Sequence, residues 1–298
     1  MSNGIKYCKK RLKQENAPIC GIYAFLNGFY DGNKKRCWNN LAHDLWNESL
    51  TPKFDSLPNY LNADIVNRYS LLGEFFSSRN LRNFLNHINN MRANNWNSLS
   101  KLVRQTGKEL LVFHADYIDA NLDWSDLIKD LDNEKTNTQS FYLVPINSWQ
   151  FSSSDTKNNK KRDRNNMHWI CVKKEGNKVI ILNSASDKSG EKWAKKHAGK
   201  CKLRSISSID DLNAIKRNMK EEREYKSNTN FNFTDWLGKL KYRCRCHKGY
   251  PEAFYERVNE IRKKDTYEYS FEKSNFDILK VTYWYRDIEK RELKHQRR

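Results

Sequence analysis

The sequence predicts an α+β fold in which a helical layer is followed by a mostly antiparallel sheet. Apolar residues recur at helical spacing through the first hundred positions, whereas runs rich in β-branched and aromatic residues begin after Gly107. Two of the later runs flank a short polar connection that contains glycine, which is typical of a hairpin. We expect the helical layer to pack on the sheet, with the functional groups at the seam between them.

The helical layer is predicted from four segments. The first begins at Cys20 and includes the apolar residues up to Leu26. Three further segments place apolar side chains on one helical face, at 37–46, 80–91 and 99–105, and the last stops at Gly107.

The sheet is predicted from strand-like runs at 109–114, 141–146, 167–173 and 178–183, with a helix over 124–131 between the first two. The C-terminal part adds a strand over 200–206, helices over 209–223, 233–242 and 251–262, and a late strand over 275–285. We therefore expect an N-terminal domain over 1–195 and a basic C-terminal α/β extension over 196–298. The extension either binds a partner or completes the core.

A cysteine at a predicted helix start is the candidate nucleophile. Asn16 is a suitable N-cap and Pro18 suits the first helical turn, so both place Cys20 near the positive end of the helix. Because the thiolate is the reactive form, a positive local field should lower the pKa of this thiol and activate it. Taken singly, a cysteine on an apolar helix face such as Cys20 is usually a small core residue.

His168 and Asn183 are the candidate base and its orienting partner. Folding the hairpin about Glu175 and Gly176 puts residues 168 and 183 opposite each other, with Cβ atoms about 5 Å apart. The asparagine carbonyl could then accept the imidazole proton, while the ring exchanges a proton with the thiol and the leaving amine. Gln14, six residues before Cys20, could donate its amide to an oxyanion, beside the Cys20 backbone N–H.

A glutamine, a cysteine at a helix start, a histidine and an asparagine, in that order, resemble the papain-like cysteine peptidases. The short segment before Cys20 and the close spacing of His168 and Asn183 are most similar to bacterial peptidases that remove double-glycine leader peptides. Those enzymes usually carry aspartate as the third residue, whereas papain carries asparagine, so Asn183 departs from the closer group. The resemblance covers about residues 1–190 and implies a papain-like fold and thiol peptidase activity.

A long polar loop precedes His168. Residues 147–166 lack periodicity, so they are predicted to form a wall or lid of a substrate cleft, or an insertion without a role. Trp149 and Phe151 in this loop, and Trp169 beyond it, are the candidate substrate contacts.

The chain is strongly basic, with 55 Lys and Arg against 36 Asp and Glu, a net charge of +19. Basic runs at 9–11, 34–36, 160–162 and 297–298 are by default a solvated surface. An acidic protein, nucleic acid or an anionic membrane is the alternative partner.

The cysteines and the apolar runs indicate the compartment. Seven cysteines, an odd number without a framework spacing, fit reduced thiols. The apolar runs are too short to span a membrane and no secretory signal is visible, so a cytoplasmic protein is expected, with delivery elsewhere by another route left open. No cofactor or metal is expected, because the cysteines and histidine at 244–247 are too closely spaced for a usual zinc site.

Three function classes follow. The first is a cysteine peptidase or isopeptidase that acts on a protein or peptide substrate through an acyl-enzyme on Cys20. The second is an acyltransferase, similar to transglutaminases, that uses the same centre but transfers the acyl group to an amine. The third is a non-enzymatic, basic nucleic-acid-binding protein in which Cys20 and His168 are structural.

Overall fold

Helices pack against one six-stranded sheet in the part of the chain that the structure, a computed structural model, describes. That part comprises residues 6–7, 11–14, 19–50, 69–70, 72–73, 75, 78–91, 94–104, 107–118, 129–131, 137–147, 167–175, 178–184, 250–262 and 278–288. The strand predicted over 200–206 and the helices predicted over 209–223 and 233–242 lie outside it.

The described helices are α1 (Cys20–Phe29), α2 (Lys35–Leu50), α3 (Ser78–Met91), α4 (Asn94–Arg104) and α5 (Glu252–Arg262). They confirm the helices predicted in the first hundred residues and the one predicted over 251–262. After α4 the chain turns at Gly107, whose φ of +88° is a conformation that favours glycine. Of the helix predicted over 124–131, residues 129–131 are described and helical. No helix among the described residues has the length and apolar character to cross a bilayer.

The described strands are β1 (Lys6–Tyr7), β2 (Lys108–Tyr117), β3 (Thr138–Asn147), β4 (Met167–Glu175), β5 (Lys178–Asn183) and β6 (Leu279–Asp287). They form one sheet in the order β1-β5-β4-β3-β6-β2. Only the β1–β5 pair is parallel, so an α+β fold with a mostly antiparallel sheet is confirmed. The strand predicted over 275–285 is β6, and it lies between β3 and β2.

The core lies between α1 and one face of the sheet. All ten residues of α1 are buried. The rings of Phe25 and Phe29 contact the rings of Phe113 in β2 and Phe141 in β3, with centroids 5.2 to 6.3 Å apart. Gly28 permits this approach, because a β-carbon there would lie 2.3 to 2.5 Å from three atoms of the Phe141 ring. The helix that begins at Cys20 is therefore held firmly on the sheet.

The β4–β5 hairpin has a different register from the one predicted. Asn183 pairs with Ile170, and Glu175 pairs with Lys178. The prediction that residue 168 lies directly opposite residue 183 is wrong by two positions, because the strands continue closer to the turn and leave two residues between them. A shift of two preserves the face on which each side chain lies, so His168 and Asn183 are diagonal neighbours on one face.

Helix α3 covers the outer edge of β2, the last strand in the sheet order. The Asn86 side chain donates to the carbonyl of Ala115 and accepts from its N–H, both at 2.9 Å. The Phe113 N–H donates to Asn89 Oδ1 at 3.1 Å. Two asparagines one helical turn apart thus take the place of a neighbouring strand along this part of the edge.

Candidate active site

Cys20 is the first residue of α1 and is buried. The N-cap position is held by Ile19, and no side chain caps the helix. The predicted cap at Asn16 is therefore wrong, although residues 16–18 themselves lie outside the described part. Position one of the helix still puts Cys20 at the positive end of the helix dipole, where backbone N–H groups have no partner within the helix.

Two attachments set the direction of α1 along β4. At the carboxyl end of the helix, the Lys173 ammonium donates to the carbonyl oxygens of Gly28 and Tyr30, at 3.4 and 3.1 Å. At the amino end, Gly21 packs on the Phe75 ring, and the Phe75 carbonyl accepts from the Trp169 indole at 3.0 Å. The helix and the strand therefore run in the same direction, and the amino end of each meets at Phe75.

His168 and Asn183 form a direct hydrogen bond. The distance from His168 Nε2 to Asn183 Oδ1 is 2.7 Å, with the histidine buried and the asparagine half-buried. An amide oxygen only accepts, so Nε2 carries the hydrogen. In the neutral ring the acceptor is then Nδ1, and this is the nitrogen that could take a proton from a nucleophile.

The two faces of β4 separate this pair from the body of α1. Trp169 and Cys171 belong to the core that contains α1, whereas His168 and Ile170 lie on the alternate face. His168 precedes Ile170, the first residue of β4 that pairs with β5, and so it lies at the end of that ladder. A route from this imidazole to the start of α1 would pass around the end of the strand and not across the sheet.

Gln14 is held beside Asn183 through Ser184. The Gln14 N–H donates to the Ser184 carbonyl at 2.7 Å, and the Ser184 hydroxyl donates to Gln14 Oε1 at 3.1 Å. With the amide oxygen engaged by Ser184, the amide NH₂ is the group left to donate elsewhere. Ser184 is fully buried and was not predicted, although its place next to Asn183 in the chain was a usable signal.

Arg11 is a second residue that the sequence did not reveal. Its Nε donates to the backbone carbonyl of Asn183, and the residue is only 6% exposed. The default interpretation of the basic run 9–11 as a solvated surface is therefore wrong for Arg11. Its neighbour Leu12 is tied to α1, since the Leu12 N–H donates to Asn27 Oδ1 at 2.7 Å and Asn27 Nδ2 donates to the Leu12 carbonyl at 3.2 Å.

The predicted substrate contacts have different outcomes. Trp169 is completely buried and its indole is bonded to Phe75, so a contact with substrate is excluded in this conformation and its role is structural. Trp149 and Phe151 lie outside the described residues.

The three described cysteines lie in different environments. Burial raises the pKa of Cys171 to about 12, an effect that the nearby Lys173 ammonium opposes only in part. That thiol is unsuited to nucleophilic attack. Cys37 is exposed in the first turn of α2. Of the three described cysteines, Cys20 is the one that is the first residue of a helix and lies on the side of the amino end of β4.

A metal centre has no support among the described residues, where no group of three His, Cys, Asp or Glu side chains could hold an ion. The cysteines and histidine at 244–247 lie outside the described part. Comparison of the chain with protein-family models, curated proteins and solved structures finds no match.

Proposed function

We propose that this chain is a thiol-dependent hydrolase, a cysteine peptidase or isopeptidase with a papain-like arrangement of its catalytic groups. The observation that carries the proposal is the 2.7 Å hydrogen bond between His168 Nε2 and Asn183 Oδ1. It leaves Nδ1 as the basic nitrogen of a buried imidazole at a strand end. A buried imidazole held in one tautomer by an acceptor is the arrangement that general base catalysis needs.

The position of the nucleophile rests on the course of α1. Gly21 and Trp169 both contact Phe75, and each is next in the chain to a proposed catalytic residue. Cys20 and His168 therefore start from the same end of the helix–strand unit. The proposal requires the imidazole to approach Cys20 Sγ around the end of β4, to within hydrogen-bond reach.

The reaction then proceeds in two stages. His168 Nδ1 takes the proton of Cys20, and the thiolate attacks the substrate carbonyl. The amide NH₂ of Gln14 and the backbone N–H of Cys20 stabilise the oxyanion. As the C–N bond breaks, the imidazolium returns the proton to the leaving amine. In the second stage Nδ1 takes a proton from water as its oxygen attacks the thioester carbonyl. The C–S bond then breaks, the imidazolium returns the proton to the departing Cys20 thiolate, and the acid is released.

The experiment that tests this function compares protein N-termini produced in a proteome by the native chain and by Cys20→Ala. New N-termini that depend on Cys20 are expected, and the residues before them give the cleavage motif. The matched control is Cys37→Ala, which removes an exposed thiol on α2 and should leave the pattern intact. Identical N-termini from the native chain and Cys20→Ala would count against hydrolysis.

Acyl transfer uses the same acyl-enzyme and differs only in the acceptor. Adding a primary amine, such as a biotinylated cadaverine, distinguishes the two reactions. Hydrolysis predicts new N-termini with little amine incorporation, whereas stable incorporation into glutamine side chains would assign the centre to the transfer class.

A further inference from the structure

We propose that Arg11 is a positioning residue of this site and acts through the backbone of Asn183 to hold the asparagine amide against His168. The proposal rests on the function proposed above. Arg11 Nε donates to the backbone of Asn183. Its effect is exerted through the carbonyl oxygen of the residue that orients the base.

The burial of Arg11 supports this role. Arg11 as a whole residue is 6% exposed, and burial of a charge without hydrogen bonds is costly. The Nε donor meets the Asn183 carbonyl, and a planar guanidinium fixes the direction of that bond better than an ammonium could. A buried charge at this place thus indicates a specific task and not general solubility.

The position of Asn183 at the end of the β4–β5 ladder also supports this role. Asn183 forms the terminal pair of the β4–β5 ladder, opposite Ile170, and the described residues of β1 pair with Ile180 and Ile181. Ser184, the next residue, lies outside the strand. The backbone is held there by Arg11 at residue 183 and by Gln14 at residue 184.

The segment 11–14 is itself anchored to α1. Leu12 is bonded in both directions to the Asn27 side chain of α1, and Asn27 is fully buried. The path from α1 through residues 11–14 to Asn183 therefore joins the helix that carries Cys20 to the partner of His168. Removing the guanidinium should release the Asn183 end of this path and weaken the orientation of the imidazole.

The test uses iodoacetamide and requires no substrate. The rate of Cys20 alkylation is measured from pH 4 to pH 9 by mass spectrometry for the native chain, Arg11→Met, Arg11→Lys and Asn183→Ala. The native chain should be alkylated at acidic pH, where only a thiolate paired with imidazolium reacts. In Arg11→Met this acidic reactivity should fall by about 10- to 100-fold, toward the Asn183→Ala profile, because misplacement of about 1 Å can cost that much.

If Arg11 acts through the Asn183 side chain, its removal has no further effect once that side chain is gone. The double variant Arg11→Met with Asn183→Ala should therefore be alkylated no more slowly than Asn183→Ala alone. Arg104→Met is the control for loss of a partly buried arginine, because Arg104 pairs with Glu109 of β2, at the opposite end of the sheet order from β5. It should keep the native alkylation profile. Thermal unfolding of each variant reports whether it is folded.

A second readout is spectroscopic. In ¹⁵N-histidine-labelled protein, the Nε2–H proton of His168 should be slow to exchange and should be lost or shifted in Arg11→Met. If Arg11→Met does not fold, Arg11→Lys decides, with an intermediate profile expected because a flexible ammonium fixes the direction of the hydrogen bond less well than a planar guanidinium. A native profile in the folded arginine variant overturns the role of Arg11, whereas a native chain without acidic Cys20 reactivity overturns the proposed function itself.

Discussion

Asn183 lies diagonally across the β4–β5 ladder from His168, two positions from the directly opposed site, and still accepts its Nε2 hydrogen at 2.7 Å. A diagonal pair on one face of a sheet is within reach of side chains as long as histidine and asparagine. The parity of the register, not direct opposition, is therefore what brings the His168 ring and the Asn183 amide together.

The first prediction concerns the acceptor at residue 183. Asn183→Asp keeps an oxygen acceptor and should leave Cys20 reactive toward iodoacetamide. Asn183→Ala should lower the rate at acidic pH by about 10- to 100-fold, because the imidazole loses its orientation. Equal rates in the two variants would show that the hydrogen bond is not needed for reactivity.

The second prediction separates Gln14 from His168. Alkylation of a thiol by iodoacetamide forms no tetrahedral oxyanion, whereas acylation by an activated ester does. Gln14→Ala should therefore slow acylation by p-nitrophenyl acetate by about 100- to 1,000-fold and leave alkylation of Cys20 nearly unchanged. Ser184→Ala, which frees the Gln14 amide oxygen, should give a smaller loss in the same assay. Parallel losses in acylation and alkylation would assign Gln14 a structural role instead.

The third prediction compares two glycines of α1. Both changes to alanine favour the helix by up to about 1 kcal/mol, so this term cancels between them. At Gly28 the added carbon would overlap the Phe141 ring, whereas at Gly21 its nearest neighbour is Phe75 Cδ2 at 3.1 Å. Gly28→Ala should cost about 1–3 kcal/mol more than Gly21→Ala in the free energy of unfolding measured in urea.

A rescue experiment checks the cause of that difference. Replacing Phe141 by leucine in the Gly28→Ala background removes part of the ring that the new carbon meets. The double variant should lose less free energy of unfolding than the sum of the losses measured for Gly28→Ala and Phe141→Leu separately. Strict additivity would mean that the clash with Phe141 is not responsible.

The fourth prediction follows from the buried Cys171 thiol. Its pKa of about 12 lies above the value of about 8.5 expected in the unfolded chain, so the folded state holds the proton more firmly. The stabilisation from this group is complete below about pH 8.5 and is lost as pH rises toward 12, at up to about 1.4 kcal/mol per pH unit. Urea unfolding between pH 7 and pH 10 should show a steeper decline for the native chain than for Cys171→Ala.

Cys37→Ala is measured in parallel as the control for loss of a cysteine at an exposed position. A Cys171→Ala protein that loses stability with pH as steeply as the native chain would contradict the assignment.

The fifth prediction concerns the covered edge of β2. Asn86→Ala removes both hydrogen bonds to Ala115 and should lower the free energy of unfolding by about 1–3 kcal/mol. An uncovered strand edge also favours pairing with a second chain, so sedimentation should detect self-association at high concentration. Asn83→Ala on the same helix is the control, and a comparable loss in that variant would make the effect one of α3 in general.

Local pattern was sufficient to determine much of this protein. The apolar periodicity predicted α1 to α4 and the order of helices before strands, because burial of an amphipathic face is a property of a short segment. Residue types and their order also led to the proposed roles of Cys20, His168, Asn183 and Gln14, which stay predictions. The contact of His168 with Asn183 was predicted from a hairpin whose register was wrong by two positions, and it forms because a shift of two keeps both side chains on one face.

Other features required the tertiary structure, because they depend on residues far apart in the chain. The register depended on a turn of two residues, which composition alone did not distinguish from four. The insertion of β6 between β3 and β2 joins residues more than 130 positions apart, and no local pattern encodes such a neighbour. Arg11 looked like one of many surface charges, and only its contact with Asn183, 172 positions later, makes its burial favourable.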